Sequence, residues 1–329
     1  MTFSAQVLSL DRPAEVTRIS EWLKAQVMGT LKKRGVVVGL SGGIDSSVCA
    51  ALAVKALGKD KVFGVFMPEK HSADESLELG TLLATSLGIR SVTENIASAL
   101  EGVGCYARQD EAIKTVFPDY GTGWKCKITL PSILDSDRLN VFQLTVQSPT
   151  GATQTLRMPL QAYLQIVAAT NFKQRVRKMV EYYHADRLNY AVIGTPNRLE
   201  YDQGFFVKQG DGTADVKPIA HLYKTQVYAL AETLEVPPEI RRRPPTTDTY
   251  SMPQTQEEFY FALPYDRMDL CLWAVNHGIS AEEVAPAVNL KPDQVERVFK
   301  DIFSKRRATH GGHLPPILVE PIFNETVVL

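Results

Sequence analysis

Residues 35–47 read Gly35-Val-Val-Val-Gly-Leu-Ser-Gly-Gly-Ile-Asp-Ser-Ser47, and a periodic apolar segment runs on to residue 57. A short, continuously apolar run predicts a strand buried on both faces, and the periodicity after it predicts a helix. The join is a glycine-rich turn. Gly42 and Gly43 let the backbone approach a phosphate, the helix N-terminus offers N–H donors, and Ser41, Ser46 and Ser47 add hydroxyls. The turn lacks the lysine of G-x-x-x-x-G-K-[ST], which argues against a kinase-like grip on a terminal phosphate. Asp45 among these donors would repel a phosphate unless Mg²⁺ bridges the two. The plainer alternative is a tight turn with Asp45 as helix cap.

Working outward, residues 13–33 carry apolar side chains at three- and four-residue steps and predict an amphipathic helix before the strand. The strand-helix alternation then repeats, with strands at 61–67, 91–96 and 190–194 and helices at 72–87 and 160–184. This pattern predicts an α/β fold with a doubly wound, mostly parallel sheet. Residues 120–158 break the rhythm, because apolar and polar residues alternate around a Pro149-Thr-Gly-Ala152 turn, and they read as an inserted β-hairpin. Past residue 222 the chain reads as helical, with segments at 222–234, 256–276, 280–288 and 292–303. The expected organisation is one domain over 1–329 with a β-rich insert at 120–158 and a helical C-terminal appendage at 255–310.

Composition narrows the function classes. Thirty-six Lys plus Arg against 37 Asp plus Glu leave a formal net charge of -1, so no global charge attracts a polyanion. Residues 280–303 have the outline of a helix-turn-helix, but helical hairpins far outnumber DNA readers, and no nucleic-acid partner is expected. Cys49, Cys105, Cys126 and Cys271 form no C-x-x-C pair, which points to a reducing cytoplasm rather than a disulfide or zinc framework. No stretch approaches the ~20 apolar residues needed to span a bilayer, so no membrane role is expected.

The Ser41–Ser47 turn after its strand resembles the pyrophosphate-binding loop of the N-type ATP pyrophosphatases, which cleave ATP between the α- and β-phosphates. Within that group, NFKQRVRKM at 171–179, GTPNRLEYDQGFFVKQGDGTAD at 194–215 and LYKTQV at 222–227 are similar to blocks of ammonia-dependent NAD synthetase. PPTTD at 244–248 and SKRR at 304–307 look like two later blocks. Pro196, Val207, Gln209 and Ser304 depart from the family's usual residue types, so the ATP side keeps the pattern more fully than the acceptor side.

The resemblance implies roles position by position. Asp45 and Glu200 match the magnesium-binding carboxylates. Lys224 and Thr246 match contacts to ATP phosphates, and Lys305 falls on a lid segment over the triphosphate. Arg175, Thr195, Lys208 and Asp211 match positions that hold the nicotinate dinucleotide or the ATP beside it, with Phe205 an aromatic wall near the nicotinate ring. Taken singly, each charged residue also reads as a solvated or paired surface group, and Phe205 as core. The implied reaction joins nicotinic acid adenine dinucleotide (deamido-NAD), ATP and ammonia through an acyl-adenylate, with residues 244–256 and 304–313 ordering on ATP binding. A homodimer is implied, and a separate glutaminase subunit stays open. Two alternatives also stay open: a paralogue amidating another carboxylate, and a nucleotide-binding module without catalysis.

Overall fold

The computed structural model describes residues 3–130, 142–246, 249–261 and 263–320. Helix α1 (Arg12–Lys24) starts at Asp11, whose side chain accepts from Ala14 N, and passes into a wider helical turn at Ala25–Thr30. Strand β1 (Val36–Gly39) then leads into α2 (Ile44–Leu57), β2 (Val62–Phe66), α3 (Asp74–Leu87) and β3 (Arg90–Thr93). Two helices absent from the sequence reading follow, α4 (Ala97–Gly102) and α5 (Cys105–Lys114).

The main sheet has the order β3-β2-β1-β7, where β7 is the short strand Ala191–Val192, and every pairing is parallel. Val36 and Val38 face a core shared with α1, α2 and α3, while Val37, Phe63 and Val65 face the other side. The period-two split buries β1 on both faces, as its unbroken valine run requires. The long helix α6 (Leu160–Leu188) crosses that second face and feeds β7.

The insert is larger than a hairpin. Strands β4 (Lys125–Thr129), β5 (Gln143–Gln147) and β6 (Thr153–Arg157) form a three-stranded antiparallel sheet, with the predicted Pro149–Ala152 turn joining the last two. Cys126 and Ile128 are buried while Lys125 is exposed, so β4 has the one-sided pattern that pairing with β5 needs. Residues 131–141 of the predicted hairpin lie outside the described residues.

The C-terminal half holds α7 (Arg198–Gln203), α8 (Lys224–Thr233), α9 (Pro238–Arg242), α10 (Tyr265–His277), α11 (Ala281–Val288) and α12 (Pro292–His313). The helix expected over 256–276 is interrupted. A wide turn at Glu257–Phe261 ends before Pro264, which caps α10. Helix α12 outruns its expected end by a stretch that contains Lys305, so 304–313 is already helical. Lys305 pairs with Asp301 one turn back, and Thr309 Oγ1 donates to Gln203 O at 3.3 Å, which fastens the extra turns to α7.

Candidate active site

At the carboxyl end of β1 the chain makes the turn 41–43 and enters α2. Gly42 has φ +72°, and a Cβ there would meet Ser76 O at 2.5 Å, so glycine answers both conformation and space. Ser46 Oγ and Ser47 Oγ donate to Gly43 O at 3.1 and 2.8 Å. These bonds hold the turn closed while the first N–H groups of α2 remain at its end.

The turn floors a cavity of about 730 Å³, which Ser41, Gly43, Asp45, Ser46, Thr195, Glu200, Phe205, Asp211, Lys224, Thr246 and Lys305 all line. Lys224 Nζ donates to Asp45 Oδ2, and Asn197 Nδ2 donates to Asp45 Oδ1 at 3.1 Å. Asn197 also caps α7, accepting from Leu199 N and Glu200 N, while its own N–H donates to Glu200 Oε2 at 3.2 Å. One asparagine thus fixes both carboxylates, a role that the sequence reading missed. Its capping-box partner three residues on, Glu200, was the available signal.

Burial, and then the negative charge of Asp45, push Glu200 up to about 8. Burial opposes the charge on Lys224, but Asp45 and Glu200 outweigh it and leave the lysine above its ordinary value. Asp269 accepts from Lys224 N and Thr225 N at 3.2 and 2.7 Å, anchoring the start of α8. The donor set is two carboxylates, and no group of three or more metal-binding side chains occurs among the described residues. A hard cation here would complete its shell with phosphate oxygens and water, as magnesium commonly does.

Lys305 Nζ donates to Tyr260 O and Asp301 Oδ2, each at 2.6 Å, and burial lowers its pKa. Asp211 accepts from Val207 N at 2.8 Å and closes the 207–211 loop, with burial raising its carboxyl. The Phe205 ring stacks on Tyr260 at 4.5 Å. Gly42 and Ser47 sit behind the lining as parts of the turn, and Arg175 and Lys208 stand outside it. Arg175 Nε donates to Lys208 O at 3.3 Å, and Lys208 Nζ donates to Gly311 O at 2.7 Å. Thr247 and Asp248 of the PPTTD block lie outside the described residues.

Sequence reasoning passed over Arg177 and Arg243, which line the cavity. It also missed a buried polar cluster there. Lys173 Nζ donates to Glu69 Oε1 at 3.0 Å and to Thr249 O at 2.7 Å, and it lies 2.9 Å from His71 Nδ1. Burial lowers Lys173 against the pull of Glu69, and burial brings His71 down to about 4. Together these groups make a pocket with a cationic floor, a carboxylate pair and aromatic sides, suited to a polyphosphate beside a flat ring.

Comparison with known proteins bears on this geometry. The family model for NAD synthase matches residues 15–116 and 137–309, leaving out 117–136. The NH(3)-dependent NAD(+) synthetase of Mesorhizobium japonicum is 64% identical over 312 residues, covering 95% of this chain and 98% of that protein. The NH3-dependent NAD synthetase of Campylobacter jejuni shares the fold, with a TM-score of 0.61 at 22% identity over 94% of this chain and 100% of that chain. The NMN synthetase of Francisella tularensis is alike in fold too, with a TM-score of 0.60 at 23% identity over 96% of this chain and 100% of that one.

Proposed function

Because the chain belongs to the NAD synthase family, we propose that it converts deamido-NAD to NAD at the expense of ATP, with ammonia as the nitrogen donor. The observation that carries this reading is the pairing of the Ser41–Ser47 turn with Asp45, Glu200 and Lys224 in one cavity beside aromatic rings. A turn of this build suits a pyrophosphate that has to leave, because it offers N–H and hydroxyl donors without a lysine of its own.

The chemistry runs in two steps. A carboxylate oxygen of the acceptor attacks the α-phosphorus of ATP, the bond to the β-phosphate oxygen breaks, and pyrophosphate departs onto the turn. Ammonia then attacks the carbonyl carbon of the acyl-adenylate, loses a proton, and expels AMP. No covalent nucleophile is needed from the protein. Its task is to bring two anions together, which Lys224, Arg243 and Lys305 favour from the walls by their charge. Thr195 and Thr246 supply hydroxyls along the phosphate path, while Phe205, Asp211 and Arg177 face the acceptor.

Asp45 and Glu200 are the residues that would hold Mg²⁺, and when bound it supplies charge neutralisation at the phosphates. The placement of the pair supports this assignment, since both carboxylates line one cavity and Asn197 bonds to each of them. Helix α12 forms the side of the cavity over the triphosphate through Lys305.

The active unit is a homodimer in this reading. Leu160, Leu164, Met179 and Tyr183 lie exposed along one side of α6, with exposed Arg175 on it bonded to the Lys208 carbonyl, and neither cation lines the cavity of its own chain. The cytoplasm is its place, a reading supported by four free, buried thiols. No helix among the described residues is long and apolar enough to cross a membrane.

The test is a stoichiometry. Purified protein with ATP, Mg²⁺, ammonium and deamido-NAD should release NAD, AMP and pyrophosphate in equal amounts. Pyrophosphate release only with another carboxylic acid would keep the chemistry and replace the acceptor.

A further inference from the structure

Phe142 and Tyr163 form a parallel ring stack, with centroids 4.1 Å apart and planes 13° apart. Both line the cavity, and both are only half-buried. Phe142 enters from the inserted sheet, one residue before β5, and Tyr163 from the first turn of α6. The stack is firmly based. Behind it, Cys126, Ile128, Leu144 and Val146 of the insert pack into one cluster with Ile166 of α6. The insert is in turn hydrogen-bonded to the segment that supplies Tyr250, through Cys126 N to Ser251 Oγ at 2.9 Å and Met252 N to Cys126 O at 3.1 Å.

Its position follows from the course of α6. This helix feeds β7, which is parallel to β1, so its C-terminal end lies toward the amino edge of the sheet and its N-terminal half stands beyond the carboxyl edge. Glu181 is level with the end of β1, because a Cβ on Gly39 would lie 2.8 Å from Glu181 Oε1. Tyr163 comes 18 residues earlier, about 27 Å along the axis at the α-helical rise. The phosphate-binding turn begins just after Gly39. Beside it Phe66, Met67 and Leu77 form an apolar recess fit for the base of the nucleotide whose phosphates sit on the turn. The far stack therefore serves something other than ATP.

We propose that the insert builds a stacking wall, Phe142 on Tyr163, for a flat heteroaromatic ring of the acceptor nucleotide. This rests on the function proposed above. The acceptor has its carboxylate, and the pyridine ring that bears it, at the ATP end, which leaves its adenine for the far wall. A parallel aromatic pair presents an open ring face to a base lying along α6, and any flat heteroaromatic face can stack on it. The preceding insert strand β4, which packs behind the wall, lies in the stretch 117–136 that the family model leaves out, while Phe142 and Tyr163 lie within the matched residues.

The test compares Phe142→Ala, Phe142→Leu and Tyr163→Ala with Tyr163→Phe and the unsubstituted protein. Steady-state constants are measured for ATP and for deamido-NAD, and again with nicotinic acid mononucleotide as acceptor. The ring-removing variants should raise KM for deamido-NAD about tenfold. KM for ATP should stay unchanged, and Tyr163→Phe should behave as the parent. The penalty should be confined to the dinucleotide, which alone carries the adenine; an equal penalty with the mononucleotide overturns the placement of adenine on the wall. A rise in KM for ATP alone, or no change in either constant, overturns the inference. Phe142→Leu keeps the buried bulk and separates lost stacking from a lost fold. Failure of the unsubstituted protein to make NAD overturns the functional reading instead.

Discussion

Lys224 Nζ and Asp45 Oδ2 form an ion pair at the cavity floor, with the lysine side chain fully buried and the aspartate 16% exposed. A lysine so placed has no access to water, so its charge depends on the two carboxylates beside it. Asp45→Asn should therefore act twice. Activity should fall by about 10²–10³-fold, because a group that organises transition-state charge is gone. The fold should also lose about 3–5 kcal/mol, the usual cost of stranding a buried charge. Asp45→Asn with Lys224→Met should recover much of the melting temperature and none of the turnover; recovery of both would make the pair merely structural.

Glu200 gives a pH dependence with a definite sign. Its ordinary value of 4.5 is raised to about 8 in the fold, first by burial and then by Asp45. Between those values the folded chain binds more protons than the unfolded one, so stability falls as pH rises and levels off above about 8. Melting curves in a chelating buffer from about pH 5 to about pH 8.5 should show Glu200→Gln gaining on the parent across that window. A constant difference between the two proteins would mean that Glu200 is ionised throughout.

What was legible in the sequence was local. The β1-turn-α2 unit announces itself because its apolar run, glycine pair and following periodic segment are contiguous, and Asp45, Glu200, Lys224 and Lys305 do meet in one cavity. What was hidden depends on distant partners. Lys173 and Glu69 are 104 residues apart, and neither segment alone says that one will neutralise the other. The third insert strand was legible as a pattern, since KCKIT at 125–129 alternates apolar with polar residues, but its pairing with β5, beyond residues 131–141, was not. The extra turns of α12 contain Gly311-Gly312, poor helix formers by propensity, and they are held by Lys305-Asp301 and Thr309-Gln203.

Lys173 supplies a third prediction. Its side chain is 1% exposed and that of Glu69 is 0% exposed, so each is the other's chief compensation. Burial raises Glu69, yet Lys173 and the Tyr106 hydroxyl bring it below its ordinary value. Lys173→Met should cost about 3–5 kcal/mol of stability, and adding Glu69→Gln should restore part of it. The pair also links α6 to the loop after β2 and to Thr249, so the single variant should raise KM for ATP in the protein that remains folded. Denaturant titration with steady-state kinetics checks both parts.

The exposed side of α6 makes the fourth. Leu160, Leu164, Met179 and Tyr183 are 71%, 55%, 61% and 62% exposed, unusual for large apolar side chains along a single helix. They follow one another at 4, 15 and 4 residues, each close to a whole number of helical turns, so they fall along one broad side, with Arg175 one turn before Met179 on it. A second copy packed on this stripe would desolvate the four side chains and turn Arg175 and Lys208 toward the partner's cavity. Met179→Glu with Tyr183→Glu places like charges in that interface and should convert a dimer to a monomer in sedimentation velocity. KM for the acceptor should rise more than KM for ATP if the arginine and lysine act on the acceptor from across the interface. A parent protein that sediments as a monomer while fully active would remove the dimer, and with it the role of these two cations.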